Sequence, residues 1–336
     1  MTTRIFASAV LLLVFTCLAL VGCSGSVNDP SVAESSTMTL SEDLDVTTFD
    51  SQTALLKGSG VNTDSANAFF VLRWSQRLFH HFNTDTVNGH AAAVAYEQPA
   101  TLRDRNAVGL DMGTVSVVTG TDTLDLSKFE SRFSGVRYGM FGGFNGGRPR
   151  HGGCDGIRDG RGGYNHHMSQ RRSNKGPGHG FLIANVPFNA GGTYQFLASG
   201  ADSIPALTQS IQAPSQLVEI TGLADMDTVD LTQDLTVTWN GDPAATKMVL
   251  VIARGFKFGH FKNHGETVQA LVQPVDPSAG SYTVPAQTVQ DLLGEAKAGI
   301  LRLYLSQSNV NMVNDPQLGT ILVSAGSDDQ VILKVK

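Results

Sequence analysis

Leu235-Thr236-Val237-Thr238-Trp239 alternates apolar and polar residues without a break. Successive residues of a strand point to opposite faces, so Leu235, Val237 and Trp239 fall on one side and the two threonines on the other. Asn240-Gly241-Asp242-Pro243 follows at once, and these residues suit a tight turn. A half-buried strand that ends in a turn is the unit on which the C-terminal part of the chain is built.

The same reading extends outward. Leu217–Ile220, Met248–Ala253, Val268–Val272, Ser281–Val284, Gly299–Leu305, Gly319–Val323 and Gln330–Val335 are further strand-length segments. Ile300, Arg302 and Tyr304 alternate against Leu301, Leu303 and Leu305, which predicts one polar and one apolar side. Asp276-Pro277-Ser278-Ala279-Gly280 supplies another turn, and Gln287–Leu293 is the one short helix expected here. Upstream, Phe69–Trp74, Ala91–Tyr96, Val115–Val118, Gly180–Val186, Tyr194–Ala198 and Leu207–Ala213 read as strands. Arg73 to Phe82 fits one or two helical turns equally well. Many short strands with hairpin-type turns predict an all-β protein of two antiparallel β-sandwich domains, at residues 61–212 and 213–336.

The run from Leu235–Trp239 through Met248–Ala253 to Tyr282-Thr283-Val284-Pro285 resembles immunoglobulin-like and fibronectin type III-like modules of bacterial surface proteins. The resemblance covers about 120 residues and implies an Ig-like sandwich for the second domain. It lacks the cysteine pair of antibody domains. That fold serves adhesion, spacing and carbohydrate binding alike, so function has to come from particular residues.

Residues 135–180 break the pattern. They hold 15 of the 36 glycines, seven arginines, four histidines and Cys154, with no hydrophobic period. Such a stretch buries too little apolar surface to offset its ordering entropy, so residues 142–178 are expected to form a long mobile loop inserted in the first domain. Residues 135–180 carry eight Lys/Arg against two Asp, leaving the rest of the chain near −12 within a net charge of −6. Gly160-Arg161-Gly162-Gly163-Tyr164 and Phe141-Gly142-Gly143-Phe144 resemble RGG/FGG-type low-complexity segments. That likeness makes Arg148, Arg150, Arg158, Arg161, Arg171, Arg172 and Lys175 candidate contacts for an anionic polymer.

Arg4 precedes an apolar run of 17 residues, Ile5 to Val21, and polar Ser24-Gly25-Ser26 follows. The length and flanks predict a removable export signal over residues 1–22, not a membrane-spanning helix. Leu20-Val21-Gly22-Cys23 resembles the lipobox of bacterial lipoproteins. The resemblance implies that Cys23 becomes the first mature residue and carries acyl chains that hold the protein to a membrane. It implies a cell-envelope location, and the outer membrane ahead of the inner one in a Gram-negative cell, since Ser24 and not Asp follows. Residues 23–60 read as a flexible tether, Ser/Thr-rich and acidic, with a root-mean-square reach of about 35 Å. A short edge strand near Thr37–Leu40 is compatible with it. With Cys17 removed and Cys23 acylated, Cys154 is the single free thiol and no intrachain disulfide is expected.

No nucleophile elbow, zinc-protease motif, phosphate-binding glycine loop or EF-hand occurs, and no cofactor is implied. The expectation is a non-catalytic envelope protein, binding or structural, meeting anionic polysaccharide or another envelope protein through the basic loop. Export separates it from intracellular nucleic acid. Two alternatives are an exported glycan-active enzyme built on dispersed carboxylates and a metal-binding lipoprotein using His260 and His264. The glycines at 259 and 265 argue against a helix that would pair those two histidines.

Overall fold

The longest strands among the described residues are β16 (Gly299–Asp315) and β17 (Gly319–Val335), an antiparallel hairpin of 17 residues a side on which the other layers are arranged. The computed structural model describes residues 36–41, 49–76, 87–99, 108–120, 122–131, 135–139, 186–201, 204–255, 267–294 and 299–336. The remaining strands are β1 (Ser36–Ser41), β2 (Ala68–Ser75), β3 (Asn88–Ala95), β4 (Val115–Thr119), β5 (Asp122–Asp125), β6 (Ser127–Ser131), β7 (Gly135–Gly139), β8 (Thr193–Ala198), β9 (Leu207–Gln212), β10 (Glu219–Thr221), β11 (Thr228–Val229), β12 (Leu235–Asn240), β13 (Lys247–Gly255), β14 (Thr267–Pro274) and β15 (Ser281–Val284). Among the described residues the α-helices are α1 (Phe49–Gly58) and α2 (Ala286–Leu293).

Ten strands form one sheet in the order β1-β14-β13-β16-β17-β2-β3-β7-β6, with β11 beside the end of β17. β5-β4-β8-β9 and β10-β12-β15 form two smaller sheets. The long hairpin shows how the layers stack. Ile321, Val323 and Ala325 join a core with Phe70, Leu72, Trp74, Tyr194 and Phe196, under the four-stranded sheet. Val331, Leu333 and Val335, with Leu301, Leu303 and Leu305, join a second core with Val237, Trp239 and Ile252, under the three-stranded sheet and α2. Alternate residues of an unbroken strand share a face, so both small sheets cover the same face of the large one. On the other face Leu322 meets Phe69, Val71, Val94 and Leu56, while Tyr304 meets Val249, Val251, Val272 and Leu55. Leu55 and Leu56 of α1 thus reach both clusters of that helix-covered face.

The all-β expectation holds, but the strands do not separate into two sandwiches. Segments from 61–212 and from 213–336 enter one ten-stranded sheet, and Ser35–Lys336 form one compact unit. The sheet is also mixed. β17 runs parallel to β2 from Ile321↔Ala68 to Asp328↔Ser75, and β11 runs parallel to β17, while the other strand pairs are antiparallel. A parallel pair needs a long crossover. Here most of the chain lies between the two strands, which no local pattern announces.

Two other expectations are corrected. The edge strand compatible with the tether near Thr37–Leu40 is present as Ser36–Ser41, paired with β14, but the later part of the tether is built into the fold as a helix, where α1 buries Leu55 and Leu56. The helix ends as a Schellman motif, with Val61 N–H donating to Leu56 O (3.0 Å), Gly60 N–H to Lys57 O (3.0 Å), and Gly60 left-handed at φ 81°. Val61 and Leu56 then share a cluster. The three segments 299–305, 319–323 and 330–335, expected as separate strands, belong to the two strands of one hairpin. Residues 140–185 lie outside the described residues, and so do the mobile-loop expectation for 142–178 and most of the strand expected at Gly180–Val186. Of Arg73–Phe82, Arg73–Ser75 belong to β2 and residues 77–86 lie outside the described residues.

Candidate functional site

The middle of the long hairpin is polar where a sheet centre is ordinarily apolar. Ser306-Gln307-Ser308-Asn309 in β16 stands against Ala325-Gly326-Ser327-Asp328 in β17. Strand alternation splits these residues between the two faces, and each face spends them differently.

On the sheet-covered face they hold the end of β9 and the segment that leads from it to β10. Asn311 Nδ2 donates to Ser210 O (3.3 Å), Asn309 Nδ2 to Gln212 O (3.0 Å), and Gln307 Nε2 to Gln216 O (2.6 Å). Residues 307, 309 and 311 share a face, so three side-chain amides form a ladder along a backbone that is not itself a strand of this sheet. Ser327 Oγ accepts from Val218 N–H (2.9 Å) and Asp329 Oδ2 from Ile220 N–H (2.7 Å). Asp242 Oδ2 accepts from Ser215 N–H (2.7 Å), and Gln307 Oε1 from Asp242 N–H (2.9 Å). Buried backbone groups need partners, and these side chains supply what a neighbouring strand would have supplied.

On the helix-covered face the centre is an ion pair. Arg73 Nη2 lies 3.1 Å from Asp328 Oδ1, with the two side chains 4% and 5% exposed. Arg73 Nη1 also donates to Gln307 O (3.0 Å) and Ser308 Oγ (2.8 Å), and Nη2 donates to Ser306 Oγ. The guanidinium lies against Gly326, where a Cβ would collide with Arg73 Nη1 and Gln307 O. Glycine is required here for close approach, not for an unusual backbone angle. Burial pushes the Asp328 carboxyl above its ordinary range, although Arg73 and Ser306 oppose this. His90 stands opposite Arg73 in the β2–β3 register and is also buried. Arg73, Asp328, Ser306 and Ser308 are sealed from solvent. The cluster as built joins strands.

A second polar group lies nearer the surface. Tyr138 OH donates to Asp111 Oδ1 (2.6 Å) and accepts from Met112 N–H (2.9 Å), while Lys128 Nζ bridges Asp111 (2.7 Å) and Glu130 (2.8 Å). Hydrogen bonds from Lys128, then Tyr138, then Gly113 N–H hold the Asp111 carboxyl down at about 2. Burial first, and then the bond to Asp111, pushes Tyr138 up to about 12. The network pins the loop before β4 to β6 and β7.

Cys23, Arg148, Arg150, Arg158, Arg161, Arg171, Arg172, Lys175, His260 and His264 are all outside the described residues. Among the described residues no group of three or more His, Cys, Asp or Glu is placed to hold a metal ion. Among them, too, no helix is long and apolar enough to cross a membrane. Sequence reading missed the polar centre of the hairpin. Its signal was the alternation of Gln307, Asn309 and Asn311, which looks like a loop until the facing carbonyls are known.

No protein-family model matches the chain, and no curated protein matches it. Among solved structures it is similar to one described as tandem Ig repeats of Dlar, with 9% identity over 74% of this chain and 91% of that one. The TM-score is 0.18, a faint likeness between β-rich chains that says nothing of what either binds.

Proposed function

We propose that the protein is a lipid-anchored cell-envelope protein with a non-catalytic binding or structural role. The observation that carries this is Leu20-Val21-Gly22-Cys23 at the end of the apolar run from Ile5. The cysteine sits where a lipobox places its acylated residue, and more than one acyl chain gives stable membrane attachment. The layered β architecture, stabilised by packed cores, supports the reading as a folded scaffold.

Residues 142–178, with Arg148, Arg150, Arg158, Arg161, Arg171, Arg172 and Lys175, are the proposed contact for an anionic envelope polymer such as a phosphate-bearing or acidic polysaccharide. Detergent phase partitioning tests the anchor: wild type enters the detergent phase, and Cys23→Ala leaves a soluble chain or an uncleaved precursor. Equal partitioning of the two contradicts it. Retention on immobilised heparin tests the contact. Replacing 142–178 with a four-residue turn is expected to abolish binding that wild type loses steeply with added salt.

A further inference from the structure

Three Asn-Gly pairs occur in the chain, Asn88-Gly89, Asn145-Gly146 and Asn240-Gly241. Glycine has no Cβ to shield its amide or restrict its backbone, so its nitrogen reaches the preceding side-chain carbonyl more readily than that of any other residue. The fold treats the two described pairs differently. Asn88 and Gly89 lie within β3, opposite Ser75 and Trp74 of β2. Gly89 is so enclosed that a Cβ there would collide with Val186 O and the Trp74 ring. Asn240 is instead the last residue of β12, and its side chain is exposed. The chain leaves the strand at Gly241, whose N–H donates to no group among the described residues. Asn145-Gly146 lies outside the described residues.

We propose that Asn240 is a site of self-modification, where the amide turns into a carboxylate without an enzyme. The Gly241 nitrogen gives its proton to solvent base and attacks Asn240 Cγ. A C–N bond forms, ammonia leaves, and a cyclic imide results. Water then opens the imide at either carbonyl, so that water is consumed, ammonia is released and nothing is oxidised or reduced. The products are aspartate and isoaspartate, the latter with an extra methylene in the main chain. The place gives this change a consequence. Asn240 stands directly opposite Glu219 in the β10–β12 pair, so a new carboxylate sets like charges across the two strands. The next residues tie the three-stranded sheet to the long hairpin: Gln216 Nε2 donates to Gly241 O, and Asp242 N–H donates to Gln307 Oε1 (2.9 Å). A lengthened main chain at 240 displaces both groups. The modification is therefore a one-way loosening of the seam between β10, β12 and the hairpin.

Peptide mapping by mass follows the reaction in the full chain, aged in mildly alkaline buffer either folded or in urea. In the folded protein, acid is expected at position 240 at least about tenfold faster than at position 88, because reaction at 88 first requires β2 and β3 to part, at a cost worth more than that factor. In urea the two positions are expected to react at similar rates. Aged wild type and fresh Asn240→Asp are both expected to unfold at a lower urea concentration than fresh wild type. Aged Asn240→Gln is expected to keep its fresh midpoint. Equal rates at 88 and 240 in the folded protein overturn the proposal. So does an aged wild type with an unchanged midpoint, or an Asn240→Gln variant that loses as much on ageing as wild type.

Discussion

Arg73 of β2 and Asp328 of β17 form an ion pair at 3.1 Å on the helix-covered face of the central sheet, across its long parallel strand pair. They come from opposite ends of the folded chain. Their pairing fixes the register in which the first long strand meets the last: Gly326 stands opposite Arg73 and offers the guanidinium the room it needs. Buried ion pairs carry a large desolvation cost and add little net stability, but they penalise any arrangement that leaves one partner alone.

Arg73→Ala is therefore expected to destabilise the fold by about 3–5 kcal/mol, because Asp328 remains buried without its partner. The double change Arg73→Met with Asp328→Leu is expected to recover most of that loss. Gly326→Ala is expected to cost at least about 3 kcal/mol, because a Cβ there meets the Gln307 backbone oxygen as well as the guanidinium. Urea unfolding of the four proteins measures all three effects. A double variant no more stable than Arg73→Ala contradicts the ion-pair account.

Gln307 and Asn309 sit two residues apart on one ladder, and their substitutions should differ in cost. Gln307→Ala leaves Asp242 N–H and Gln216 O without their partner, in a buried setting that makes each lost bond cost about 1–3 kcal/mol. Asn309→Ala removes two more exposed bonds, to Gln212 O and from Thr246 N–H, and is expected to cost about 0.5–1.5 kcal/mol for each at most. Equal costs in urea unfolding would mean that the ladder does not hold the β9–β10 segment.

The Asp111 carboxyl is depressed from 3.8 to about 2 in the folded protein. Its contribution to stability is full above 3.8 and is lost as pH falls toward about 2. Melting temperature followed through this window should fall more steeply for wild type than for Asp111→Asn. Tyr138→Phe, which removes the second-largest cause of the shift, should narrow the window. Identical acid limbs for wild type and Asp111→Asn contradict the assignment.

Local pattern accounts for much of the fold. Ser281–Val284 is a strand with the expected limits, Leu235–Trp239 lies within β12, and Gln287–Leu293 lies within α2. Each depends on alternation, helical spacing or turn chemistry that neighbours in sequence supply. The long hairpin was not readable in the same way. Gly299–Leu305 reads as a strand from its own alternation, and Ser306-Gln307-Ser308-Asn309 beyond it has no apolar period to extend it. In the structure those residues continue β16, since their partners are Arg73, Gln216 and Gln212, all distant in sequence. The shared sheet escaped for the same reason: Ile321↔Ala68 is a pairing across 253 positions. Leu55 and Leu56 were lost among the Ser, Thr and Asp residues around them, although α1 buries both.

The mass of the N-terminal peptide of the protein purified from membranes tests the central claim, that Cys23 anchors the chain by lipid. The account predicts a mature chain that begins at Cys23, with the added mass of a diacylglyceryl group on the thiol and of a fatty acyl chain on the new amino group. An unmodified Cys23, or a chain that begins elsewhere, contradicts it.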